Sequence, residues 1–384
     1  MKICLLGLNN LSVLAPAGEN SLVGGEPVQQ TLLAKALVRR GHDVSMIVAD
    51  LGQADGTRYG GIRTFKAYHP EAGVPVLRFI HPRWTALWSA LTRADADLYY
   101  TSCAGMEVGL LAMFCRHFGK RFVFRCASDA DCDKSRLLVS HARDRWLYGH
   151  GLRRADAILV QSASQADMLL RSYRLSGRVA GMLVEPAQAP STHDLDVLWA
   201  GNLYRVKRPD RVLWLAARLP HVAFHVVGGA VPGEEALHAR MRGAAAQFPN
   251  LTYHGRLAYP DANSLFGRAK LLLNTSEVEG FPNTYLQAWI RGVPVVTLID
   301  PDRVIEREGL GIAVRTPAEL VGAIASLLGS TQAWQAASDR CRRFMAREFG
   351  DDRILSPYLD TFARVMDAGG RGLAAMPSSE VPHV

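Results

Sequence analysis

The sequence lacks the features of a membrane-spanning or disulfide-stabilised protein. No apolar run reaches the roughly 18 residues that a membrane span needs, since Glu107 interrupts even the stretch AGMEVGLLAMF. The six cysteines of this 384-residue chain have spacings that fit neither a zinc site nor a disulfide framework. The N-terminus MKICLLGLNN carries one Lys before a short apolar run, which predicts a β-strand rather than a signal peptide. We therefore expect reduced thiols and a cytoplasmic protein, soluble or peripheral to a membrane.

The second half of the chain has almost no net charge. Residues 1–190 hold 23 Lys and Arg against 16 Asp and Glu, a balance of +7, whereas residues 191–384 hold 21 against 20, a balance of +1. The excess lies in basic segments with interspersed aromatics: Arg116, Lys120, Arg121, Arg143, Arg145, Trp146, Tyr148, Arg153 and Arg154. Such segments fit an anionic membrane surface or acceptor, and equally a solvated helix face. No recognition motif accompanies the charge, so nucleic acid is not an expected partner.

Length and apolar pattern predict two α/β domains. A chain with 48% hydrophobic residues and this length exceeds the roughly 250–300 residues at which chains usually split into domains. Apolar strands alternate with helical patterns twice, which is typical of parallel sheets. The predicted strands are KICLLGL, DVSMIVAD, ADLYYTS, KRFVFRC and AILVQS in the first half, and DVLWAGN, AFHVVGG, LTYHGRL, KLLLNTS and PVVTL in the second, where PVVTL is the last strand of the sheet.

The predicted boundaries follow from Pro and Gly. Residues 1–188 form the first domain and 194–350 the second, separated by a linker that contains Pro186 and Pro190. Helices are expected near 331–348 and 357–367, the latter beginning at Pro357. The tail 369–384, rich in Gly, Ala, Ser and Pro, is predicted to be disordered.

The most informative segment is 274–298, NTSEVEGFPNTYLQAWIRGVPVVTL. An acidic glycine turn at Glu279 and Gly280 directly follows the strand LLLNTS. Pro282 can occupy the first turn of a short helix, and Gly292 can end it. Loops in this position, at the carboxyl ends of parallel strands, form the ligand crevice of doubly wound sheets. The alternative is that Glu279 only complements the positive N-terminus of the helix.

This segment resembles the donor-site signature of the retaining nucleotide-sugar glycosyltransferases of family 4, in which two glutamates flank seven residues that begin at an EGF turn. Glu279 matches the first glutamate, and Gln287 stands eight positions later in place of the second. The resemblance implies that Glu279 lies by the transferred sugar and that Gln287 orients the ribose, since an amide can accept from one hydroxyl and donate to another. Sugar hydroxyls or phosphate would be bound by Gly280, Phe281, Pro282, Asn283 and Thr284.

The resemblance extends to about residue 367 and implies the GT-B fold, an α/β architecture in which two Rossmann-like parallel-sheet domains face each other across a cleft. The helical segment 351–368 would then return to the first domain. Gly24 and Gly25 in LVGGEPVQQ would let backbone N–H groups approach the donor diphosphate or its sugar, although two glycines before a helix are otherwise a simple turn. Gly229, in the loop after AFHVV, would lie beside the nucleotide.

The segment WAGNLYRVKRPDRVLWLAARLP resembles the phosphate clamp of the same family, a basic residue after the strand glycine and a lysine five positions later. Lys207 matches the lysine, whereas Asn202 stands at the first basic position. Arg205 lies between them and is expected to replace the missing charge. Cations are needed there because the nucleoside diphosphate departs with negative charge. The alternative is a solvated basic turn.

Three carboxylates, Asp129, Asp131 and Asp133, imitate the DXD motif with which the other major glycosyltransferase fold binds a metal, and half of a calcium loop. Lys and Ser stand where that calcium loop requires Gly and Glu, so calcium is not expected. A family 4 donor site works without metal, so neither a metal nor a cofactor is expected. The loop that often carries a His near the transferred sugar in that family holds Arg125, Ser128 and Asp129 here.

The resemblance therefore implies a retaining, metal-independent transferase that moves a hexosyl-type group from a nucleoside diphosphate sugar to a hydroxyl of a saccharide or lipid-linked acceptor. The basic first half favours a setting in cell-surface polysaccharide assembly, on the cytoplasmic face of the plasma membrane. Lys207 and Arg205 would neutralise the leaving diphosphate, and Glu279 would hold the sugar or stabilise positive charge at its anomeric carbon. Two alternatives share the fold: a sugar-nucleotide epimerase, and a non-catalytic partner subunit, which Asn202, Gln287 and the missing His would suit.

Overall fold

The computed structural model describes residues 1–15, 24–75, 77–185 and 191–368. Within these residues the chain forms two β-sheets covered by helices. The linker prolines Pro186 and Pro190 and the predicted disordered tail 369–384 lie outside the described residues.

The first sheet has the strand order β3-β4-β2-β1-β5-β6-β7-β8, and its neighbouring strands are parallel except for the β3–β4 pair. Its strands are β1 (Lys2–Leu6), β2 (Asp43–Val48), β3 (Arg58–Tyr59), β4 (Ile62–Lys66), β5 (Leu98–Ser102), β6 (Arg121–Arg125), β7 (Ala157–Val160) and β8 (Arg178–Val179). Its helices are α1 (Leu11–Leu14), α2 (Gly25–Arg39), α3 (Thr85–Ala94), α4 (Met106–Phe118), α5 (Asp129–Cys132), α6 (Ala142–Leu152) and α7 (Ala163–Tyr173), with a π-helical turn at Phe79–Trp84 before α3.

The second sheet is entirely parallel, with the order β11-β10-β9-β12-β13-β14. Its strands are β9 (Leu195–Ala200), β10 (Phe224–Val227), β11 (Leu251–Gly255), β12 (Ala269–Asn274), β13 (Val295–Thr297) and β14 (Gly311–Ala313). Its helices are α8 (Asp210–Arg218), α9 (Glu235–Gln247), α10 (Tyr259–Arg268), α11 (Asn283–Trp289), α12 (Val304–Glu308), α13 (Glu319–Leu328) and α14 (Thr331–Glu348), and two 3-10 turns lie at Arg205–Lys207 and Pro301–Arg303.

In each sheet the order in which the chain adds strands reverses once, and the cleft lies at these reversals. In the first sheet the chain moves outward from β1 through β2 to one edge and then returns beside β1 with β5. In the second sheet the corresponding strands are β9 and β12. Ligands of open parallel sheets bind beyond the carboxyl ends of such strands, because the loops diverge there. The loops after β1, β9 and β12 carry the predicted site residues other than Gly229, which follows β10.

The last helix, α15 (Asp351–Asp367), crosses back to the first sheet, as the sequence predicts. Leu355, Tyr358 and Phe362 are buried in the same apolar core as β1 and β2, and the Phe362 ring lies 6.2 Å from the Tyr100 ring of β5. The helix begins six residues earlier than the predicted start at Pro357, which lies inside it. The first sheet therefore packs against a helix that follows the second sheet in the chain.

The structure corrects the predicted edge of the second sheet. PVVTL is not its last strand, because β14 pairs with β13 in parallel, with Val296 opposite Ile312. The three-residue strand β14 is too short to give a sequence pattern. The helix α2 packs its apolar face inward, since Val28, Leu33 and Leu37 are buried.

Candidate functional site

A cleft of about 430 Å³ lies between the two sheets. Segments after β1, β5, β6, β7 and β8 line one side, and segments after β9, β10, β11 and β12 line the other. The predicted site residues that line it are Gly24, Gly25, Asn202, Lys207, Gly229, Glu279, Gly280, Phe281, Pro282, Asn283, Thr284 and Gln287. Residues from segments more than 250 positions apart thus share one cavity.

Lys207 and Glu279 form an ion pair at the cleft. The Lys207 ammonium contacts Glu279 Oε1, which also accepts a hydrogen bond of 2.7 Å from the Ser276 hydroxyl. The Glu279 side chain is 13% exposed and that of Lys207 is 30% exposed, so an incoming ligand can reach both. One cation and one carboxylate are therefore held together at the carboxyl ends of β9 and β12.

The two loops that carry this pair are fastened to each other. The Thr275 hydroxyl donates to the Lys207 carbonyl oxygen at 2.8 Å and itself accepts from the Trp199 indole N–H at 2.9 Å. The Glu277 N–H donates to the Val206 carbonyl oxygen at 2.9 Å. These bonds fix the 3-10 turn of Lys207 against the end of β12, so the distance between ammonium and carboxylate depends on buried contacts rather than on free loops.

The position of Arg205 differs from the prediction. Its side chain is 88% exposed, lies outside the cleft lining and has its Nε 3.9 Å from Glu234 Oε2. In the 3-10 turn, positions 205 and 207 point to different sides, and only Lys207 faces Glu279. Arg205 is therefore not placed to supply the charge that Asn202 lacks.

Arg256, which the sequence analysis does not identify, lines the cleft instead. It directly follows β11, and its Nη2 donates to the Ala230 carbonyl oxygen at 2.8 Å. A Cβ atom on Gly229 would collide with the Arg256 guanidinium, so a side chain at that position would have to displace it. The basic residue after the strand LTYHG was the available signal, since such positions lie at the ligand edge of a parallel sheet.

Two hydrogen bonds cross the cleft at the predicted glycines. Asn283 Nδ2 donates to the Gly25 carbonyl oxygen at 2.6 Å, and the Phe281 N–H donates to Gln161 Oε1 at 2.6 Å. A Cβ atom on Gly25 would lie 2.6 Å from Asn283 Nδ2, and one on Gly280 would collide with Gln161 Oε1. Gly25 and Gly280 thus permit close approach of the two domains.

Glu26, also missed by the sequence analysis, lines the cleft in the first turn of α2. Its carboxylate contacts the Ser102 hydroxyl, and its Oε2 lies 3.3 Å from Arg125 Nη1. Burial raises the pKa of the Glu26 carboxyl, while Arg125 and Ser102 oppose the shift. Arg125, 1% exposed, is thus the buried partner of a cleft residue and does not itself line the cleft.

The three aspartates of the DXD-like segment have separate local partners. Asp131 accepts hydrogen bonds from the N–H groups of Ala127 and Ser128 at 2.7 and 3.1 Å, which closes the first turn of α5. Asp129 accepts from Gln165 Nε2 at 3.1 Å, and burial raises its pKa. Among the described residues, no three His, Cys, Asp or Glu side chains are grouped closely enough to hold a metal ion.

Two family models match the chain, one for each half. The model described as Glycosyltransferase Family 4 matches residues 23–180, and the model described as Glycosyl transferases group 1 matches residues 194–330. The chain belongs to the group 1 glycosyltransferases. Its activity is therefore glycosyl transfer from a nucleotide sugar. A comparison with curated proteins found no sequence match.

Solved structures agree in fold. The glycosyltransferase resembles a sucrose-phosphate synthase from Thermosynechococcus elongatus, with 18% identity, coverage of 95% of this chain and 99% of that one, and a TM-score of 0.77. It resembles HepE of Anabaena, solved with UDP and glucose, with 15% identity, 95% and 100% coverage, and a TM-score of 0.72. It also resembles WaaG, a glycosyltransferase involved in lipopolysaccharide biosynthesis, with 16% identity, 94% and 99% coverage, and a TM-score of 0.67. The two-domain GT-B architecture predicted from the sequence is confirmed.

The basic segments of the first half divide into buried, paired and exposed residues. Tyr148 is fully buried, and Lys120 and Arg121 pair with acidic partners at 3.1 and 3.2 Å. Trp146 remains 63% exposed. In the described part of the chain, no helix combines the length and the apolar character needed to cross a bilayer.

Proposed function

We propose that this glycosyltransferase is a retaining, metal-independent enzyme that moves a hexosyl group from a nucleoside diphosphate sugar to a hydroxyl of a saccharide or lipid-linked acceptor. The observation that carries the proposal is the Lys207–Glu279 pair in the interdomain cleft. A nucleoside diphosphate leaves with negative charge while the sugar develops positive charge, so catalysis requires a cation and an anion next to each other. This pair supplies both.

The reaction then divides between the two charges. The bond between the anomeric carbon and the β-phosphate oxygen breaks, its electron pair leaves with the diphosphate, and Lys207 stabilises the leaving oxygens. Arg256, which lines the same cleft, provides a second cation near Gly229. Glu279 stabilises the positive charge at the anomeric carbon, and the acceptor hydroxyl bonds to that carbon while its proton passes to the leaving phosphate. The cross-cleft hydrogen bonds at Gly25 and Gln161 favour a closed site from which water is excluded.

The rest of the donor would contact the segment after Glu279. Backbone groups from Gly280 to Thr284 bind sugar hydroxyls or phosphate, and Gln287 binds the ribose. Support comes from HepE, which is similar in fold and was solved with UDP and glucose. Gly24 and Asn202, which also line the cleft, complete the donor site in this proposal.

Nucleotide binding tests the donor site. We expect one of UDP, GDP and ADP to raise the melting temperature selectively, since a ligand at one hundred times its dissociation constant stabilises the native state by about 2.7 kcal/mol. Lys207→Ala should weaken the binding of that nucleotide by about 10- to 100-fold, because a hydrogen bond to a charged group is lost. Arg205→Ala is the matched control from the same turn and should bind normally.

Turnover separates transfer from the two alternatives. The wild type with the corresponding nucleotide sugar and a pool of saccharide acceptors should release nucleoside diphosphate and give a product that keeps the anomeric configuration of the donor. Binding without release, for every acceptor tried, would favour the non-catalytic subunit. Conversion of the nucleotide sugar without an acceptor would favour an epimerase.

The acceptor side leads us to propose peripheral attachment to an anionic membrane on the cytoplasmic face, in cell-surface polysaccharide assembly. Five apolar side chains of the first domain are 58% to 76% exposed: Val74, Leu77, Ile80, Leu138 and Trp146. The Arg143 guanidinium lies 3.8 Å from the ring centre of Phe79, so the segment of Ile80 contacts the segment of Trp146. Leu138 also lines the cleft. An apolar surface with arginines suits a lipid headgroup layer.

Vesicle binding tests this attachment. The wild type should bind vesicles that contain anionic lipid and lose binding as salt rises, because screening weakens surface charge interactions. Leu138→Ser with Trp146→Ser should reduce binding about tenfold, whereas Leu170→Ser, which changes another exposed apolar residue of this domain, should not. Absence of binding at low salt would remove the membrane from the proposal without affecting the donor site.

A further inference from the structure

A glutamine directly after β7 contacts both domains. Gln161 is 6% exposed and lines the cleft. Its Nε2 donates to the Ala127 carbonyl oxygen of the first domain at 3.0 Å, and its Oε1 accepts from the Phe281 N–H of the second domain at 2.6 Å. One buried side chain therefore links the loop after β6 to the turn that carries Glu279.

The chemistry of its partners fixes the orientation of this carboxamide. A backbone carbonyl can only accept and a backbone N–H can only donate, so Nε2 must face Ala127 and Oε1 must face Phe281. The Gln161 N–H donates to Gln165 Oε1 at 2.8 Å, and Gln165 Nε2 donates to Asp129 Oδ1 at 3.1 Å. All of these bonds except the one to Phe281 lie within the first domain. The position of the acceptor that Phe281 meets is therefore set by the first domain alone.

The turn across the cleft has two anchors within the second domain. The Glu279 carboxylate contacts Lys207 and accepts from the Ser276 hydroxyl at 2.7 Å. The Phe281 ring packs edge-on against the buried Trp289 ring, with 6.1 Å between their centres. The peptide N–H between these two anchored side chains is the group that the first domain binds.

Gly280 lets the turn come this close to the first domain. A Cβ atom at Gly280 would collide with Gln161 Oε1 and would lie 2.7 Å from Gln165 Nε2. The φ angle of Gly280 is not positive, so close approach rather than backbone conformation favours glycine there. A side chain at this position would push the turn away from Gln161.

Donor binding makes this contact more important. In the proposed reaction Lys207 interacts with the leaving diphosphate, so its ion pair with Glu279 weakens. The carboxylate then keeps the Ser276 hydroxyl as a partner, and its direction depends on the backbone of the turn. The Phe281 N–H, two residues after Glu279, is where Gln161 holds that backbone.

We propose that Gln161 is a positioning residue for the transfer reaction: when the domains close, it fixes the Phe281 N–H and thereby aims the Glu279 carboxylate at the donor sugar. This rests on the proposed function, because it requires Glu279 to act on the anomeric carbon. The contact needs both domains, so Glu279 reaches its working position only in the closed enzyme. A donor held by the open enzyme, where water has access, is then not activated prematurely.

Kinetics distinguishes a positioning residue from one that only holds the domains together. Gln161→Met keeps the length of the side chain and removes the amide. At saturating nucleotide sugar we expect kcat to fall about tenfold, because the donor still drives closure but the turn is no longer fixed. The dissociation constant of the nucleoside diphosphate alone should change little, since its proposed contacts Lys207, Arg256 and Gln287 lie in the second domain.

Asp302→Ala is the control for closure. It removes two hydrogen bonds between the domains, from the N–H groups of Ala163 and Ser164, and does not alter the turn of Glu279. Saturating donor restores the closed form of this variant, so the KM for the donor should rise while kcat stays close to that of the wild type. If Gln161→Met likewise raised only KM, with an unchanged kcat, the proposal would be overturned.

Gly280→Ala breaks the same contact from the second domain and leaves the bonds of Gln161 within the first domain intact. It also serves as the test if the buried change Gln161→Met prevents cooperative folding. It should lower kcat by a similar factor, and the double variant should lower it no further, because both changes remove one interaction. Losses that multiply in the double variant would contradict the role of Gln161. A wild type that releases no nucleoside diphosphate from any nucleotide sugar would overturn the proposed function itself, and this role with it.

Discussion

At the scale of single residues, the site depends on how closely backbone and side chains approach. Gly229 leaves room for the Arg256 guanidinium, with which a Cβ atom would collide. We expect Gly229→Ala to displace Arg256 from the cleft and to weaken nucleoside diphosphate binding about tenfold, since one charge-assisted hydrogen bond is lost. Calorimetric titration measures this effect.

The matched glycine for that experiment is Gly243, inside α9, where a Cβ atom would meet nothing within 4 Å. Gly243→Ala should leave nucleotide affinity unchanged and stabilise the protein by up to about 1 kcal/mol, because Ala is a better helix former. Equal affinities for the two variants and the wild type would show that Arg256 does not contact the ligand.

Single-residue roles could be predicted only where a local motif constrained them. The turn at Glu279 and the lysine at Lys207 were each predicted from residue spacing within their own segment, and the structure brings the two side chains together. The direction of a side chain inside a three-residue turn is set by what packs beneath it, so the sequence could not distinguish Arg205 from Lys207. Arg256 reaches the site from another strand and belongs to no motif.

At the scale of elements, the first turn of α4 contains a carboxyl that is costly to ionise. Burial raises the pKa of Glu107 above its ordinary value, and the Tyr68 hydroxyl donates to it at 3.4 Å. A raised folded-state pKa means that the contribution of this group to stability is full below the unfolded pKa of about 4.3 and is lost as pH rises. We expect Glu107→Gln to melt higher than the wild type at pH 8, with the difference closing toward pH 4.

The comparison of melting temperatures at each pH cancels the titration of all other groups. Asp167→Asn, on the exposed face of α7, serves as control and should show no such pH-dependent difference. A Glu107→Gln variant that is less stable than the wild type at pH 8 would mean that the charged form is stabilised by the helix N-terminus more than burial disfavours it.

Element types were largely predictable, and boundaries were not. The strand, turn and helix order from β12 to β13 follows from apolar runs separated by Gly and Pro, and α11 forms where the sequence predicts it. However, Pro282 precedes the helix as its N-cap rather than lying in its first turn. Pro357 lies within α15 because the apolar face that runs from Leu355 to Val365 is buried, and tertiary packing compensates for the poor local propensity.

At the scale of the whole molecule, the domains are joined by a carboxylate at a helix N-terminus. Asp302 accepts hydrogen bonds from the N–H groups of Ala163 and Ser164 at 3.1 and 3.2 Å, although it has a left-handed backbone with φ of 49°. A charged acceptor at the N-terminus of α7 favours the closed form. We expect Asp302→Ala to raise the ratio of open to closed molecules about tenfold. Small-angle scattering without nucleotide should show this as a larger radius of gyration.

Saturating nucleotide should reverse much of that expansion, because a ligand held by both domains favours closure. The control variant is Glu306→Ala, which removes an exposed carboxylate from α12, the helix that directly follows the turn of Asp302. Glu306 pairs with Arg303 of its own domain, so its loss should not expand the molecule. An Asp302→Ala protein with unchanged dimensions would show that the other cross-cleft bonds, at Gly25 and Gln161, suffice.

Contacts across the cleft could not be predicted from the sequence. Asn283 and Gly25 are 258 positions apart, and Phe281 and Gln161 are 120 apart, so no local pattern relates them. The two-domain arrangement was predictable because the strand and helix alternation occurs twice and because the motifs resemble one family in order.

The return of α15 to the first sheet affects how the chain folds during synthesis. The buried positions Leu355, Tyr358 and Phe362 belong to the core of a domain whose strands begin at Lys2. A domain normally folds as soon as it leaves the ribosome. Here the apolar face beside Tyr100 stays uncovered until the second domain has been translated, so the nascent first domain exposes apolar surface for longer than its own length would require.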